Sequence, residues 1–406
     1  MPAPRFSSRV PDNLAGNRLA QALARRRAAN REIVDLTESN PTRAGFQYPP
    51  ELLAPLADPR GLVYSPHPFG SFDAREAVAS EYRRRSLEVD AGRIVLTAST
   101  SEAYSLLFKL LADPGGEVLV PRPSYPLFDH LTQLDAVVAR PYDLEYHGRW
   151  EIEFASLEHA IDERTRAVLL VNPNNPTGSF VRTTELERIA ALCVSRGIAI
   201  ISDEVFADYE VEKGASSWAG SGLHAGDALT FTLGGLSKSI GLPQAKLGWM
   251  AVAGPDALVR SALDRLELIC DTYLSVSTPV QVGAAELLRR GRSIREEIQA
   301  RVAANFARLA AAIESAPACR LLHAEGGWYA VVQVPSFQSE EDLVVDLLEN
   351  AGVLVHPGYF FDFPRESHLI VSLIVSPDAF AEATRRVLRH FDCTAGERAI
   401  GPQTRR

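Results

Sequence analysis

The chain has 406 residues, of which 46% are hydrophobic, and carries a net charge of −9. This length and composition allow a sizeable core, and an acidic balance argues against nucleic acid as the main partner because phosphate binding needs a basic face. No apolar run is long enough to span a bilayer. We therefore expect a soluble globular protein that acts away from membranes.

The cysteines, the histidines and the N-terminus indicate where the protein works. The four cysteines are scattered without a CxxC pair, and the nine histidines form no HExxH pattern. Neither a disulfide framework nor a metal site is therefore expected. The N-terminus lacks the basic-then-apolar order of a secretory signal. These features favour the reducing cytoplasm.

Short β-branched runs alternate with helical patterns between about Ile94 and Ala253. The runs are apolar on both faces, which indicates buried strands in an α/β fold whose central sheet is mostly parallel and flanked by helices. From about residue 286 two helical stretches surround the strand-like run "GGWYAVVQV". We predict a large domain over residues 46–285 and a smaller α+β domain over residues 286–406, which the segment 1–45 joins.

The stretch "LTASTSEAYSLLFKLL" predicts a strand that ends where a helix begins. Ser99 and Glu102 have the spacing of a capping box, and the residues after them form an apolar helix face. The free N–H groups at the start of this helix, together with the hydroxyls of Thr100 and Ser101, offer a seat for a phosphate. Simple helix capping would explain the same residues.

Two polar motifs follow predicted strands further along the chain, where ligands of parallel sheets bind. The density of Asn and Pro in "NPNNPTG" (172–178) favours a rigid binding loop over an ordinary turn, and we expect a cis bond at Asn175–Pro176. Asp203 ends a fully apolar strand, so its semi-buried carboxylate needs a cation such as a protonated ring nitrogen. Helix capping is the alternative for Asp203.

The stretch "GGLSKSIGLPQAKLGW" (234–249) places two lysines among small residues. A semi-buried lysine has a lowered pKa and can form a Schiff base with an aldehyde, which suits Lys238. Lys246 could then neutralise a phosphate on the same ligand. Either lysine alone could be a solvated loop residue. Together, the phosphate seat, the acid, the amide and the lysine describe pyridoxal 5′-phosphate (PLP).

These motifs, with "YSPHPFGSFDAREAVA" and "PRPSYPLF", resemble the class I/II aminotransferases of the aspartate aminotransferase superfamily, which are fold-type I PLP enzymes. The likeness spans roughly residues 33 to 390. It implies that Lys238 forms the Schiff base and later moves a proton, that Asp203 holds the ring nitrogen and that Asn175 donates to the ring hydroxyl. The other implied cofactor contacts are Tyr125 on the ring, and Thr100, Ser101, Ser237 and Lys246 on the phosphate.

The resemblance also implies a homodimer with shared sites, because Tyr64 matches the tyrosine that reaches the phosphate of the neighbouring subunit. The chain departs from the family at three cofactor positions: Phe206 replaces a tyrosine, Gly235 a serine and Lys246 an arginine. The phosphate site therefore keeps its charge but loses a hydroxyl and a bidentate fork.

The largest departure is Ile370, which stands where the family has the arginine that grips the substrate α-carboxylate. Ser39, Arg43 and Arg365 are the candidate substrate residues, although both arginines could be solvated surface residues. The aromatic run "HPGYFFDF" (356–363) either lines the mouth of the pocket, which would favour a partly apolar substrate, or packs in the core.

We expect an aminotransferase that moves an amino group between an amino acid or amine and a keto acid. The alternative is a PLP-dependent decarboxylase, lyase, cyclase or racemase, which Ile370 and Phe206 suggest because the orientation of the substrate decides which bond breaks. A regulator is disfavoured since residues 1–45 are too short for a DNA-binding domain. A nicotinamide enzyme is disfavoured because no GxGxxG follows a strand.

The phenylalanine at position 206 generates a prediction for the holoenzyme. A tyrosine there would donate a hydrogen bond to the ring hydroxyl and so lower the pKa of the Schiff base. Phe206 cannot donate, and we expect a raised Schiff-base pKa. A pH titration of the visible absorption band measures it, and a low pKa would refute the prediction.

Overall fold

The computed structural model describes residues 6–11, 15–211, 218–365 and 367–399. The strands in chain order are β1 (Val34–Asp35), β2 (Ile94–Thr97), β3 (Glu117–Arg122), β4 (Val138–Tyr146), β5 (Trp150–Ile152), β6 (Thr165–Val171), β7 (Ala199–Asp203), β8 (Thr230–Gly235), β9 (Gly248–Ala253), β10 (Arg320–Leu321), β11 (Tyr329–Gln333), β12 (Val353–Leu354), β13 (His356–Pro357) and β14 (His368–Ser372).

The α-helices are α1 (Arg18–Ala28), α2 (Phe72–Arg84), α3 (Thr100–Leu111), α4 (Phe128–Leu134), α5 (Phe154–Ala160), α6 (Thr183–Arg196), α7 (Leu236–Ser239), α8 (Asp256–Tyr273), α9 (Thr278–Arg290), α10 (Arg292–Glu314), α11 (Glu340–Asp346) and α12 (Pro377–Ala399). No helix among the described residues is long and apolar enough to cross a membrane.

The largest sheet has eight strands in the order β2-β9-β8-β7-β6-β3-β4-β5. The five neighbours from β8 to β4 run parallel, whereas β9 is antiparallel to both β2 and β8. Strand β2 therefore points the same way as β8. The α/β fold with a mostly parallel central sheet, which the alternating pattern predicted, is confirmed.

Both faces of this sheet are buried under helices. Ile200 and Ile201 are neighbours in β7, and each is fully buried in a different apolar cluster. One cluster contains Leu107 of α3, and the other contains Ile189 of α6. Runs that are apolar on both faces thus do form strands covered on two sides.

A four-stranded antiparallel sheet, in the order β10-β11-β14-β13, is built from the C-terminal part of the chain. The N-terminal segment joins this part, because β1 pairs with β12 and the Ser372 amide donates to the Leu36 carbonyl at 2.7 Å. Ile370 of β14 pairs with both Val331 of β11 and His356 of β13. These three positions therefore share one face of the small sheet.

A buried ion pair connects the two sheets. Glu325, which is 2% exposed, accepts hydrogen bonds from the Arg182 guanidinium and from the Phe180 amide, the latter at 2.9 Å. The amides of Glu325 and Gly326 also both donate to the Gly178 carbonyl, at 3.0 and 2.9 Å. The loop after β6 is thereby fixed to the chain that leads into β11.

We expect Glu325→Ala to destabilise the protein by about 3 kcal/mol, because it removes a buried carboxylate that pairs with the Arg182 guanidinium and accepts from the Phe180 amide. Urea unfolding followed by circular dichroism measures the loss. The matched control is Glu158→Ala, which breaks the exposed pair with Arg188 and should cost less than about 1 kcal/mol. An equal loss of unfolding free energy in the two variants would show that the buried pair stabilises the protein no more than the exposed pair does.

Candidate active site

The strand directions bring six chain segments to one edge of the large sheet. Thr97 and Gly235 both pair with Gly248, so β2 and β8 end where β9 begins. Strands β7, β6 and β3 run parallel to β8 and end at the same edge. The segments that follow these strands, and the turn before β9, carry the predicted cofactor residues Thr100, Ser101, Tyr125, Asn175, Asp203, Ser237, Lys238 and Lys246.

Lys238 lies on α7, the single helical turn that follows β8. Its amine lies 5.0 Å from the centre of the Trp328 ring and 5.7 Å from that of Phe206, and it has no ion pair among the described residues. Burial lowers the pKa of Lys238 to about 8, while the nearby Asp203 carboxylate opposes this shift. A lysine amine in this state is a usable nucleophile and base near neutral pH.

Asp203 is a buried carboxylate that has hydrogen-bond donors but no ion-pair partner among the described residues. The Tyr104 hydroxyl donates to it at 2.7 Å, and the Val205 amide donates at 3.1 Å. Burial raises the pKa of Asp203, although these two hydrogen bonds favour the charged form. A protonated nitrogen in front of the free side of this carboxylate would complete its environment.

The asparagines of the "NPNNPTG" loop divide into two roles. Asn172 accepts from the Val181 amide at 3.0 Å, and Asn174 accepts from the Thr177 hydroxyl at 3.0 Å, so both hold the loop together. Asn175 is 6% exposed, and its side-chain oxygen has no partner among the described residues. The buried Asn175 oxygen can accept one further hydrogen bond, and the side-chain nitrogen of Asn174, which also has no partner among the described residues, can donate one. The predicted cis bond at Asn175–Pro176 is confirmed.

The phosphate seat has the predicted local structure at α3. The Ser99 hydroxyl accepts from the Glu102 amide at 3.1 Å, so Ser99 caps the helix as predicted, whereas the Glu102 carboxylate accepts from the Ala98 amide at 2.6 Å and not from the Ser99 amide that a capping box requires. Thr100 and Ser101 are the first two helical residues. Their backbone N–H groups face the free end of the helix and can bind an anion.

Lys246, the cation that the sequence predicts for this site, is exposed and has no ion pair within the part of the chain that the structure describes. Ser237 lies in the first turn of α7. A Cβ atom at Gly235 would lie 3.2 Å from the Leu247 carbonyl oxygen and 3.3 Å from the Gly248 Cα. A side chain at position 235 would therefore require a small displacement of β9.

Two predicted tyrosines differ in their surroundings. Tyr125 follows β3, and burial together with the Asp203 carboxylate raises its pKa, which places it close to the aspartate. Tyr64 is 71% exposed and lies beside Leu62 and Val63, which are also exposed. An exposed tyrosine in an apolar run is available to another molecule.

The three candidate substrate residues lie in three different parts of the structure. Ser39 lies beside the Tyr329 phenol, whose pKa burial raises to about 12. Arg43 is exposed in the turn at residues 41–45. Arg365 is exposed and lines a groove of about 820 Å³ that none of the predicted cofactor residues lines. Ile370 is fully buried in the small sheet.

Three aromatic residues beside Lys238 or Asp203 were missed by the sequence analysis. Tyr104 donates to Asp203, Trp328 covers the Lys238 amine, and Tyr329 contacts the Phe206 ring edge-on at 6.4 Å. The signal for Trp328 and Tyr329 was the aromatic pair after "GG", which was interpreted only as part of a strand. Tyr104 gave no comparable signal, since it lies one helical turn inside an ordinary apolar helix.

The arrangement fits a planar phosphate-bearing aldehyde. It combines a buried carboxylate for a protonated nitrogen, an unpaired amide, an amine that can attack a carbonyl carbon and a cationic helix terminus for a phosphate. No group of three or more His, Cys, Asp or Glu side chains that could hold a metal occurs among the described residues. The fold and the site thus define an enzyme of the PLP fold-type I class.

A family model described as "Aminotransferase class I and II" matches residues 31–387, and the chain therefore belongs to this family. The resemblance that the motifs suggested is confirmed, and the protein is an enzyme that transfers amino groups. Members of this family are generally PLP-dependent.

Curated relatives cover most of the chain at low identity. The chain is 25% identical over 383 residues to a tyrosine aminotransferase of Bos taurus, covering 90% of this chain and 85% of that protein. It is 28% identical over 376 residues to an alanine aminotransferase of Mycobacterium tuberculosis, covering 90% and 87%. Neither name supports the alternative decarboxylase, lyase, cyclase or racemase.

Solved structures show the same fold. An aminotransferase from Escherichia coli superposes with a TM-score of 0.85 at 24% identity, covering 96% of this chain and 99% of that one. An alanine aminotransferase from Pyrococcus furiosus gives a TM-score of 0.86 at 23% identity, covering 96% and 100%. At sequence identities this low, the superpositions show a shared fold and nothing further.

The buried amine generates a prediction for the cofactor-free protein. Because only the neutral amine reacts, we expect reductive methylation of Lys238 to be half-maximal near pH 8. In Asp203→Asn the midpoint should move to lower pH, since the carboxylate that favours the charged lysine is gone. Mass spectrometry of the peptide containing Lys238 measures both midpoints.

The control for this titration is Asp113→Asn, which removes an exposed carboxylate in the loop before β3 and should leave the midpoint unchanged. A Lys238 midpoint near that of a free lysine side chain, about pH 10.4, would contradict the burial of the amine.

Proposed function

We propose that the protein is a PLP-dependent aminotransferase that moves an amino group from an amino acid or amine to a keto acid, with Lys238 as the catalytic residue. The observation that carries the proposal is the partly buried Lys238 amine with its lowered pKa, close to the buried Asp203 at the carboxyl edge of the sheet. Family membership and the absence of an ion pair at Lys238 among the described residues support the same role.

PLP would supply an aldehyde that takes up amino groups and a ring that withdraws electrons from the reacting carbon. Asp203 would accept a hydrogen bond from the protonated ring nitrogen, and Tyr104 would hold the Asp203 carboxylate in its charged form. Asn175 would donate from its amide nitrogen to the ring hydroxyl. Tyr125 would stack on the ring.

The phosphate would be held by charge and by backbone donors. The free N–H groups at the start of α3 and the hydroxyls of Thr100, Ser101 and Ser237 would donate to its oxygens. Lys246 would balance its charge as a point cation, without the bidentate geometry of an arginine.

Lys238 would move the proton. Its amine, once free, would take a proton from the reacting carbon of the substrate and deliver it to the former aldehyde carbon of the cofactor, and a pKa of about 8 suits a base at neutral pH. The Tyr209 hydroxyl donates to the Lys238 carbonyl and so fixes the backbone from which the side chain moves. The rings of Phe206 and Trp328 exclude water from the amine.

The names of the relatives support amino acids and keto acids as substrates. They include tyrosine and alanine aminotransferases and a glutamate-pyruvate aminotransferase of Haemophilus influenzae. Of the candidate substrate residues we favour Ser39, because it lies next to Tyr329, whose ring contacts Phe206. Arg43 and Arg365 lie on exposed parts of the chain.

We further propose a cytoplasmic homodimer whose subunits each consist of the two domains expected from the sequence. The consecutive exposed residues Leu62, Val63 and Tyr64 would be covered by the partner, and Tyr64 would reach the partner's phosphate. An apolar run of this kind is unfavourable in water, which supports its burial in an interface.

The chain allows a sharp test because only four lysines occur in it: Lys109, Lys213, Lys238 and Lys246. We expect Lys238→Ala to lower turnover at least a thousandfold and to abolish the cofactor adduct that borohydride traps, since no other amine replaces a positioned lysine. The control Lys109→Ala removes an exposed lysine that is paired with Asp135, and it should retain full activity.

Absorbance spectroscopy and peptide mapping after borohydride treatment measure the two outcomes. An adduct on any peptide without Lys238, or normal turnover by Lys238→Ala, would overturn the proposed function.

A further inference from the structure

The short turn that carries Lys238 is held by side chains from outside it. Helix α7 has only four residues, so its backbone carbonyl groups depend on partners beyond the helix. The Tyr209 hydroxyl donates to the Lys238 carbonyl. The Arg295 guanidinium donates through Nε to the Ser239 carbonyl at 2.7 Å. Two consecutive carbonyl groups, one of them that of the reacting lysine itself, are therefore fixed by side chains of other elements.

Arg295 lies in the first turn of α10, which packs closely against the chain that follows α7. A Cβ atom at Gly291, the residue before α10, would lie 2.6 Å from the Ile240 Cβ. A Cβ atom at Gly241 would lie 3.1 Å from the Ile294 side chain, and the φ of +62° at Gly241 also favours glycine. The position of Arg295 relative to α7 is therefore set by a close approach of the two backbones.

The guanidinium of Arg295 is anchored on its other side by an ion cluster. Arg295 is 6% exposed, its Nη2 donates to the Glu81 carboxylate at 2.6 Å, and Asp208 lies 3.5 Å from its Nε. Arg84 pairs with the same two carboxylates, so the cluster contains two cations and two anions. Because these charges balance, the cluster offers α7 a donor in a fixed direction rather than a net charge.

The reactivity of the Lys238 amine depends on its place beside two aromatic rings. It lies 5.0 Å from the centre of the Trp328 ring and 5.7 Å from that of Phe206. Burial lowers its pKa to about 8, and the charge that opposes this shift is that of Asp203, not of the Arg295 cluster. A turn that was free to move would release the amine into water and raise its pKa toward the ordinary lysine value.

We propose that Arg295 is a positioning residue for the reaction, because it fixes the Ser239 carbonyl and so keeps the Lys238 amine beside the rings of Phe206 and Trp328. The inference rests on the proposed function and goes beyond it, since it assigns a role to a residue outside the predicted cofactor contacts. Arg295 acts through the backbone of α7 and takes part in no bond-making step.

The first test uses the cofactor-free protein and the variant Arg295→Met, which removes the donor but keeps a long apolar stem. We expect the midpoint pH for reductive methylation of Lys238 to rise by about one pH unit or more, because the released amine gains water. Mass spectrometry of the peptide that contains Lys238 measures the midpoint. A midpoint that stays at the wild-type value would contradict the inference.

The matched control is Arg84→Met, which removes the other cation of the same cluster. Arg84 pairs with Glu81 and Asp208, as Arg295 does, but it is not a donor to α7. We expect the Lys238 midpoint of this variant to remain at the wild-type value. An equal rise in both variants would show that the cluster acts through its charge, and it would overturn the positioning role.

The conservative variant Arg295→Lys tests whether the direction of the donor matters. Its ammonium keeps the charge of the cluster, but a compact point charge does not reproduce the planar fork that reaches a carboxylate and a carbonyl together. We expect partial rescue, with a midpoint about half a pH unit above wild type. This variant also carries the test if Arg295→Met fails to fold, as judged by circular dichroism, and a wild-type midpoint in Arg295→Lys would contradict the inference.

A second measurement uses PLP itself. PLP is added to the cofactor-free protein at one fixed pH, and absorbance follows the rate at which the adduct with Lys238 forms over a range of PLP concentrations. We expect Arg295→Met to lower the limiting rate roughly thirtyfold, because a displaced amine attacks slowly. The half-saturating concentration should change less than about threefold, since the predicted phosphate contacts Thr100, Ser101 and Lys246 are intact.

The opposite pattern, an altered half-saturating concentration with an unchanged limiting rate, would show that Arg295 supports cofactor binding, and it would overturn the inference. Failure of the wild-type protein to form any adduct with PLP would count against the proposed function instead. The methylation midpoints are measured without cofactor, so they test the position of the Lys238 amine in either case.

Discussion

The site depends on two groups that are buried near each other without forming a direct ion pair, the Asp203 carboxylate and the Lys238 amine. Burial pushes both toward their neutral forms, since it raises the pKa of Asp203 and lowers that of Lys238. A fully paired arrangement would be more stable, but it would leave neither group free to act. The fold holds them in this state because they follow neighbouring parallel strands, β7 and β8.

Much of this arrangement could be predicted because each cofactor residue lies directly after an apolar run. Lys238, Asp203 and the Asn-rich loop were recognisable by type and position, and the N-cap of α3 was readable from Ser99 and Glu102. The sequence could not separate Asn175 from the structural asparagines of its loop without the family resemblance, because all three have the same local composition. In the structure, the side-chain oxygens of Asn172 and Asn174 accept hydrogen bonds from the loop itself, whereas that of Asn175 has no partner among the described residues.

The remaining residues could not be predicted because tertiary packing, rather than local pattern, brings them to the site. Tyr104 contacts Asp203 from the interior of α3. Trp328 is far from Lys238 in sequence, and nothing in the local sequence of either residue predicts that they are in contact. Sequence motifs thus identify polar groups at the ends of strands, whereas the aromatic groups around them depend on tertiary packing.

Ile370 shows how substrate recognition and core packing are linked in this protein. It is fully buried in an apolar cluster that also contains Leu170 of β6 and Ile189 of α6. A guanidinium at this position would need hydrogen-bonding partners that such a cluster cannot provide, so its side chain could be accommodated only with rearrangement. The packing between the two sheets therefore favours an apolar side chain at position 370.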